Sequence, residues 1–393
     1  MPDARVPIRA VFLTALRLGL TSFGGPIAHL GYFRREYVER RRWVDPTTFA
    51  DLVALCQALP GPASSQLGIA IGTTVAGRWG GLAAWIGFTM PSAVAMLLFA
   101  AFSRAASVAG AGWVHGLELA AVVVVAVAVG TMARAGAVDV PRAALAIGAA
   151  VVALTAPLPA TGPLLIAVGA IAGAAVVRRQ PLDHAPQVAA FPFPRSALIA
   201  LGSFAVLLVA LPAFRALDGQ AAALADTFYR TGSLVFGGGH VVLPLLHAGT
   251  VDPGWVSETD FVAGYGAAQA LPGPLFTFAA YLGAVAGLAP NGLAGGLIAF
   301  GAIFLPSFLL VWGVLPGWSR LRGNATIRAA LDGAGAAVVG LVFAALVDPV
   351  ATTGLHSWLD AVVAAVAATA LVSGRVPVVA VVAALAAFGQ LAG

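Results

Sequence analysis

The six residues Gln57-Ala58-Leu59-Pro60-Gly61-Pro62 return letter for letter as Gln269-Ala270-Leu271-Pro272-Gly273-Pro274, 212 positions further along a chain of 393. An identity of that length at that distance points to an internal duplication. Each copy interrupts apolar, helix-patterned sequence. Proline removes a backbone donor and clashes with the preceding turn, so each motif is expected to break its helix. Inside a membrane, a broken helix is tolerated only where its unpaired backbone groups line a cavity or are buried in protein. Two breaks at matching places in two halves point to a transporter's binding site.

The surrounding composition fits a membrane chain. Hydrophobic residues make up 60% and charged residues 9% of it, and mean hydropathy is +0.95. Soluble domains carry about a quarter charged residues. Arg9 and Arg17 interrupt the first apolar run and no small-residue cleavage site follows, so a cleavable signal peptide is not expected. The single cysteine, Cys56, excludes a disulfide framework or a cysteine-based metal centre. All 21 basic residues are arginines, giving a net charge of +5. They fall in loops, which reads as a topology signal and not as a nucleic-acid surface.

Outward from the first Pro-Gly-Pro, residues 47–59 and 63–77 are each too short for the ~20 residues of a spanning helix and read as a re-entrant hairpin. Upstream, a helix over 8–23 ends at Phe23-Gly24-Gly25-Pro26, and a second, 27–38, runs into Arg34, Arg35, Arg40, Arg41 and Arg42. Downstream, spans are predicted near 80–103, 112–134, 142–156, 163–177 and 196–211. After a Pro-rich linker at 178–195 the pattern restarts. Arg230 to Gly239 echoes Arg17 to Pro26, Trp255 and Phe261 echo Trp43 and Phe49, and Pro306-Ser307 echoes Pro91-Ser92. Later spans are expected near 292–314, 325–347, 355–372 and 376–392.

The expected fold is therefore an all-α polytopic membrane protein built on an inverted-topology repeat with broken helices. Residues 1–177 form the first repeat, 178–225 a linker with one connecting helix, and 226–393 the second, inverted repeat. Inversion follows from loop charge. The loop at 33–42 holds five arginines, whereas its counterpart at 246–260 holds none but has Asp252, Glu258 and Asp260. The basic copy belongs in the cytoplasm. That places the N-terminus inside, the C-terminus outside, and the chain in the cytoplasmic membrane.

These motifs, in this order, resemble the chromate ion transporter family, whose long members carry two homologous halves with Phe-Gly-Gly-Pro in the first, Phe-Gly-Gly-Gly in the second and Pro-Gly-Pro in both. The match runs from about Arg17 to Ser92 and from about Arg230 to Ser307. The resemblance implies a secondary transporter that exports chromate, with sulfate as the close structural analogue. His240 departs from the family pattern, which commonly has an aromatic residue after the glycines.

Candidate substrate contacts follow from oxyanion chemistry. Gly24, Gly25, Gly237, Gly238 and Gly239 sit where helices break, and free N–H groups at a helix start bind oxyanions without any side chain. Close helix packing is the competing reading for glycines in membranes. Gly61 and Gly273 precede the half-helices 63–77 and 275–287, whose positive dipole ends would converge on a dianion from opposite sides. Arg17 and Arg230 suit a tetrahedral oxyanion, or simply reach the headgroups. Gln57 and Gln269 can donate to the anion or cap the broken helices. Glu118 and Asp332 are proton-coupling candidates, or acids stabilising helix N-termini. Glu36 and Glu39 read as salt-bridged surface. His29, His115 and His240 show no metal spacing, and nothing in the sequence asks for a metal or cofactor.

The absence of a Walker loop, a Gly-x-Ser-x-Gly elbow or a zinc motif argues against an enzyme. A sulfate or other oxyanion carrier, an oxyanion channel and a membrane enzyme acting on lipid phosphates are the alternatives. The expected partners are a chromate- or sulfate-like dianion and the lipid bilayer, with no nucleic acid; a homodimer is compatible.

Overall fold

The computed structural model describes residues 6–105, 112–137, 139–156, 161–177, 194–217, 219–235, 242–318 and 324–392. Gly237, Gly238, Gly239 and His240, and most of the linker, lie outside the described residues. The described residues form helices and connecting turns, with no strand among them.

The first half opens with α1 (Ile8–Thr21), which stops at Ser22, and α2 (Gly25–Phe33), which widens into a π-helical stretch, Arg34–Arg40. Next comes α3 (Pro46–Ala58), whose N-terminus Asp45 caps by accepting from the backbone N–H groups of Thr47 and Thr48. The first Pro-Gly-Pro then breaks the chain before α4 (Ala63–Ala105). The predicted break at the end of the half-helix is present inside α4, where Ala76 and Gly77 leave helical geometry. Three helices complete this half: α5 (Gly112–Gly136), α6 (Val140–Thr155) and α7 (Thr161–Val176). Helix α8 (Arg195–Leu217) connects to the second half.

That half repeats the order with α9 (Gly219–Leu234), α10 (Val242–Thr250) and α11 (Glu258–Ala270), the last capped by Ser257. After the second Pro-Gly-Pro, a 3-10 turn (Leu275–Thr277) enters α12 (Phe278–Val285). Then come α13 (Gly292–Val314), α14 (Ala325–Ala345), α15 (Trp358–Val372) and α16 (Val378–Ala392). The predicted helix over 355–372 starts three residues later because Ser357 and Asp360 form a capping box that fixes the first turn.

Among the described residues, five stretches are long and apolar enough to cross a membrane: 63–103, 112–134, 195–215, 292–317 and 325–354. Their outward faces carry large apolar side chains, among them Leu98, Phe102, Ile199 and Val209, each more than half exposed. A bilayer supplies the apolar surroundings those faces require.

Contacts repeat at positions 212–215 apart. Helix α1 lies along α4, and α9 lies along α13. A Cβ on Gly19 would strike the carbonyl oxygen of Phe88, and one on Gly232 that of Ile303. Small residues let these backbones approach closely, where van der Waals packing holds membrane helices together. The halves also exchange their ends. Helices α6 and α7 of the first half pack on α14 of the second, while α15 and α16 of the second pack on α5 of the first. Across the middle, Trp85 of α4 stacks on Phe300 of α13 and meets Phe304 and Phe308 edge-on.

Candidate functional site where the two broken loops cross

Each Pro-Gly-Pro loop is held by the opposite half. The N–H of Gly61 donates to the carbonyl of Val235 at 2.6 Å, and the N–H of Gly273 donates to the carbonyl of Ser22 at 2.9 Å. Ser22 closes α1 and Val235 follows α9, so each loop is tied to the end of the other half's first helix. Both glycines are left-handed, with φ of 123° and 101°. A Cβ would be strained in either, and it would meet Ser307 Oγ at Gly61 and Ser92 Oγ at Gly273. The arrangement is thus reciprocal down to the serine beside each glycine.

Polar groups collect around this crossing. Ser22, Ser64, Ser65, Gln66, Thr89, Ser92 and Ser307 are all buried. The hydroxyls of Ser22, Ser65, Thr89 and Ser307 have no hydrogen-bond partner among the described residues, nor has Gln66 Oε1. Unsatisfied buried polar atoms are costly and call for an explanation. His29 is buried too, and its Nε2 donates to the same Ser22 carbonyl at 3.2 Å. That carbonyl only accepts, which leaves Nδ1 as the ring atom without a partner. Gln66, which sequence reasoning missed, donates from Nε2 to Pro60 O at 2.6 Å and so satisfies a carbonyl freed by the break. Its signal was a glutamine in the first turn after the prolines.

The anticipated residues do not all gather here. Gly24 (φ 96°) and Gly25 (φ 75°) turn the chain just after Ser22, as their permissive backbone allows. Among the described residues, nothing lies within 4 Å of where a Gly25 Cβ would sit. The N–H groups of Gly61 and Gly273 are already committed to carbonyls, so the free donors are those of the following first turns. Arg17 is exposed on α1, on the same outward side as Leu13 and Leu20. Arg230 donates to Asp226 at 2.6 Å and to the Leu208 carbonyl at 3.2 Å. Gln57 is exposed, while Gln269 Nε2 is buried without a partner.

Two cavities lie against the helices that lead into the crossing. One, of about 500 Å³, lies between α2 and α3 and is lined by Arg34, Val38, Phe49 and Gln57. The other, of about 490 Å³, is lined by Arg215, Asp226, Arg230, Asp252 and Asp348, and reaches Leu234, the neighbour of Val235. His247 stands in it between Asp252 (3.2 Å) and Glu258 (3.0 Å). Glu36, expected at the surface, is buried and joins Arg41 at 2.8 Å and Arg40 at 3.3 Å. Burial raises its carboxyl, but the two arginines outweigh it and hold the group below its ordinary value.

Glu118 and Asp332 have different surroundings. Asp332 is half-buried on α14, close enough to Arg142 to interact with it. Glu118 is buried beside His115, and His356 joins them from the segment before α15. Ligand atoms of His115, Glu118 and His356 lie within 4.8 Å of one another, brought together by folding across more than 230 residues.

The chain is similar in sequence to known proteins over most of its length. The chain is 30% identical over 351 residues to the "Chromate transport protein" of Pseudomonas aeruginosa, covering 86% of this chain and 80% of that protein. It is 28% identical over 341 residues to the "Probable chromate transport protein" of Synechococcus elongatus, covering 84% and 82%. It is 26% identical over 352 residues to the "Chromate transport protein" of Cupriavidus metallidurans, covering 86% and 82%. No solved structure matches significantly. The family model described as "Chromate transporter" matches residues 9–174 and 222–390, taking in both broken loops and the helices that hold them, and by that match the chain belongs to the chromate transporter family.

Proposed function

We propose that this multi-pass membrane protein is a secondary transporter that exports chromate across the cytoplasmic membrane and takes the dianion where the two Pro-Gly-Pro loops cross. The observation that carries the reading is the pair of hydrogen bonds, Gly61 to Val235 and Gly273 to Ser22, set among buried hydroxyls without partners. A tetrahedral oxyanion accepts hydrogen bonds on all sides. Hydroxyls can turn their protons toward it, and the first-turn amides of α4 and of the turn before α12 add the positive ends of two helices. Gly24 and Gly25 contribute the start of α2. The family is one of transport proteins, which removes the lipid-phosphate enzyme from consideration.

Repeats of opposite orientation, residues 1–177 and 226–393, give this site two mouths. The α2–α3 cavity lies beside the arginine-rich stretch and has Arg34 as its charged lining residue. The other cavity sets two arginines, Arg215 and Arg230, against three aspartates, Asp226, Asp252 and Asp348. A basic mouth concentrates a dianion and an acidic one expels it. With the basic mouth cytoplasmic, the field speeds loading from that side and release on the other, while the gradients that drive the carrier set the net direction. Arg230 in this scheme shapes the outer mouth through Asp226, and Arg17 anchors α1 at the lipid headgroups.

Hydroxyl and amide donors do not separate chromate from sulfate by charge or shape, so the test sets them in competition. Everted vesicles containing the protein should accumulate chromate, and sulfate should compete. Accumulation only in right-side-out vesicles would reverse the direction, and no flux of either anion would remove the reading.

A further inference from the structure

Away from the loop crossing, a second polar cluster joins the start of α5 to the segment between α14 and α15. We propose that His115, Glu118 and His356 form a site for a zinc-class divalent ion, with Asp360 as the positioning residue.

The argument begins with Asp360. Its Oδ2 accepts from the backbone N–H groups of His356 (3.0 Å) and Ser357 (2.8 Å), which fixes the carboxylate in place. Its Oδ1 stands 3.2 Å from His115 Nε2. A carboxylate only accepts, so Nε2 carries the proton, and in the neutral ring Nδ1 presents a lone pair. That Nδ1 is buried and has no hydrogen-bond partner among the described residues. It faces Glu118 Oε2 at 3.6 Å, too far for a hydrogen bond. Two ligands on one tetrahedral zinc, bonded at about 2.0–2.1 Å, stand about 3.3 Å apart. The spacing therefore suits a shared ion better than a shared proton.

The third ligand is close. The ring of His356 stacks on that of His115 with centroids 4.6 Å apart. His356 is exposed, so a rotamer change can turn its nitrogen toward the other two. Two imidazoles and a carboxylate, with water in fourth place, form a familiar zinc donor set. Imidazole donors select zinc, cobalt or nickel over magnesium and calcium. A carboxylate behind a ligating histidine is the usual outer support. The backbone is set for it, since Gly354 packs against the Glu118 carbonyl so tightly that a Cβ there would lie 3.0 Å from it. His247 makes the contrast: each of its nitrogens already meets a carboxylate at 3.0–3.2 Å.

The test is titration of tag-free, full-length protein in detergent with zinc by calorimetry and with cobalt by visible absorption. One ion per chain is expected, with the intense cobalt bands of a four-coordinate nitrogen–oxygen site. His356→Gln, an exposed change, should weaken binding about tenfold or more. Asp360→Asn should weaken it about 10–100-fold, with a melt of the metal-free variant confirming that α15 remains capped. His247→Gln should leave affinity unchanged. Absence of zinc binding, or binding indifferent to both His115→Gln and His356→Gln, would overturn the proposal and leave the cluster as a histidine held between two carboxylates. Neither result bears on chromate flux through the loop crossing.

Discussion

Replacing Gly61 with alanine tests the crossing directly. At φ 123° an L-residue is strained, at a cost of about 1–3 kcal/mol. The new Cβ would sit 2.5 Å from Gln66 Nε2 and 3.0 Å from Ser307 Oγ. Gln66 must then move, and its 2.6 Å bond to Pro60 O is lost. A lost bond that strands a buried partner costs about 1–3 kcal/mol. The two effects together amount to about 2–6 kcal/mol. Gly25→Ala is the control. It shares a positive φ, 75°, but meets no described atom within 4 Å, so it should cost only about 1–2 kcal/mol. Thermal melts in detergent and initial chromate uptake by everted vesicles, normalised to protein in the membrane, read both. Gly61→Ala should melt lower than Gly25→Ala and transport slowly if at all. If it melts and transports like the wild type, or if Gly25→Ala is the less stable of the two, the crossing is not the support described here.

Three further outcomes follow from the same geometry. Arg17→Lys and Arg17→Ala should leave the apparent affinity for chromate unchanged, whereas Arg230→Ala strands the buried Asp226 carboxylate and should lower uptake several-fold; equal effects at both positions in competition assays would contradict the exposed placement of Arg17. Ser22→Ala and Ser307→Ala should each weaken chromate affinity, by the loss of a hydrogen bond to a charged ligand worth about 1.5–3 kcal/mol, while sparing the melting temperature, because neither hydroxyl has a protein partner to lose. Glu36→Gln should destabilise the protein at neutral pH. Because Arg41 and Arg40 depress the Glu36 carboxyl despite its burial, its contribution is complete above the ordinary carboxylate value and lost as pH falls through the depressed one. The difference in melting temperature between wild type and variant should therefore shrink below about pH 4, and a difference that grows there would refute the sign.

The broken helices were legible in the sequence because proline acts locally. Pro60, Pro62, Pro272 and Pro274 end their helices whatever surrounds them. The matched serines after Pro91 and Pro306 were visible as a repeat, but only the fold shows Ser307 beside Gly61 and Ser92 beside Gly273. Arg17 and Arg230 look equivalent in the chain, yet their roles diverge because Asp226 lies one turn before Arg230 and no acid stands at the matching place before Arg17. The spacing of Glu118 and Asp332 hid a similar difference. The partner that decides the surroundings of Glu118, His356, is on another helix pair, and no local pattern announces such a contact.

Each half of this protein lends the other a carbonyl and borrows an amide in return. The two bonds have the same chemistry and nearly the same length, 2.6 and 2.9 Å. In the proposed carrier, opening toward one face would part the first while the second serves as hinge, and opening toward the other face would exchange their roles. Each end state would then lose one bond and keep its twin, so this pair would favour neither face. The direction of net flow would follow the gradients that act on the carrier.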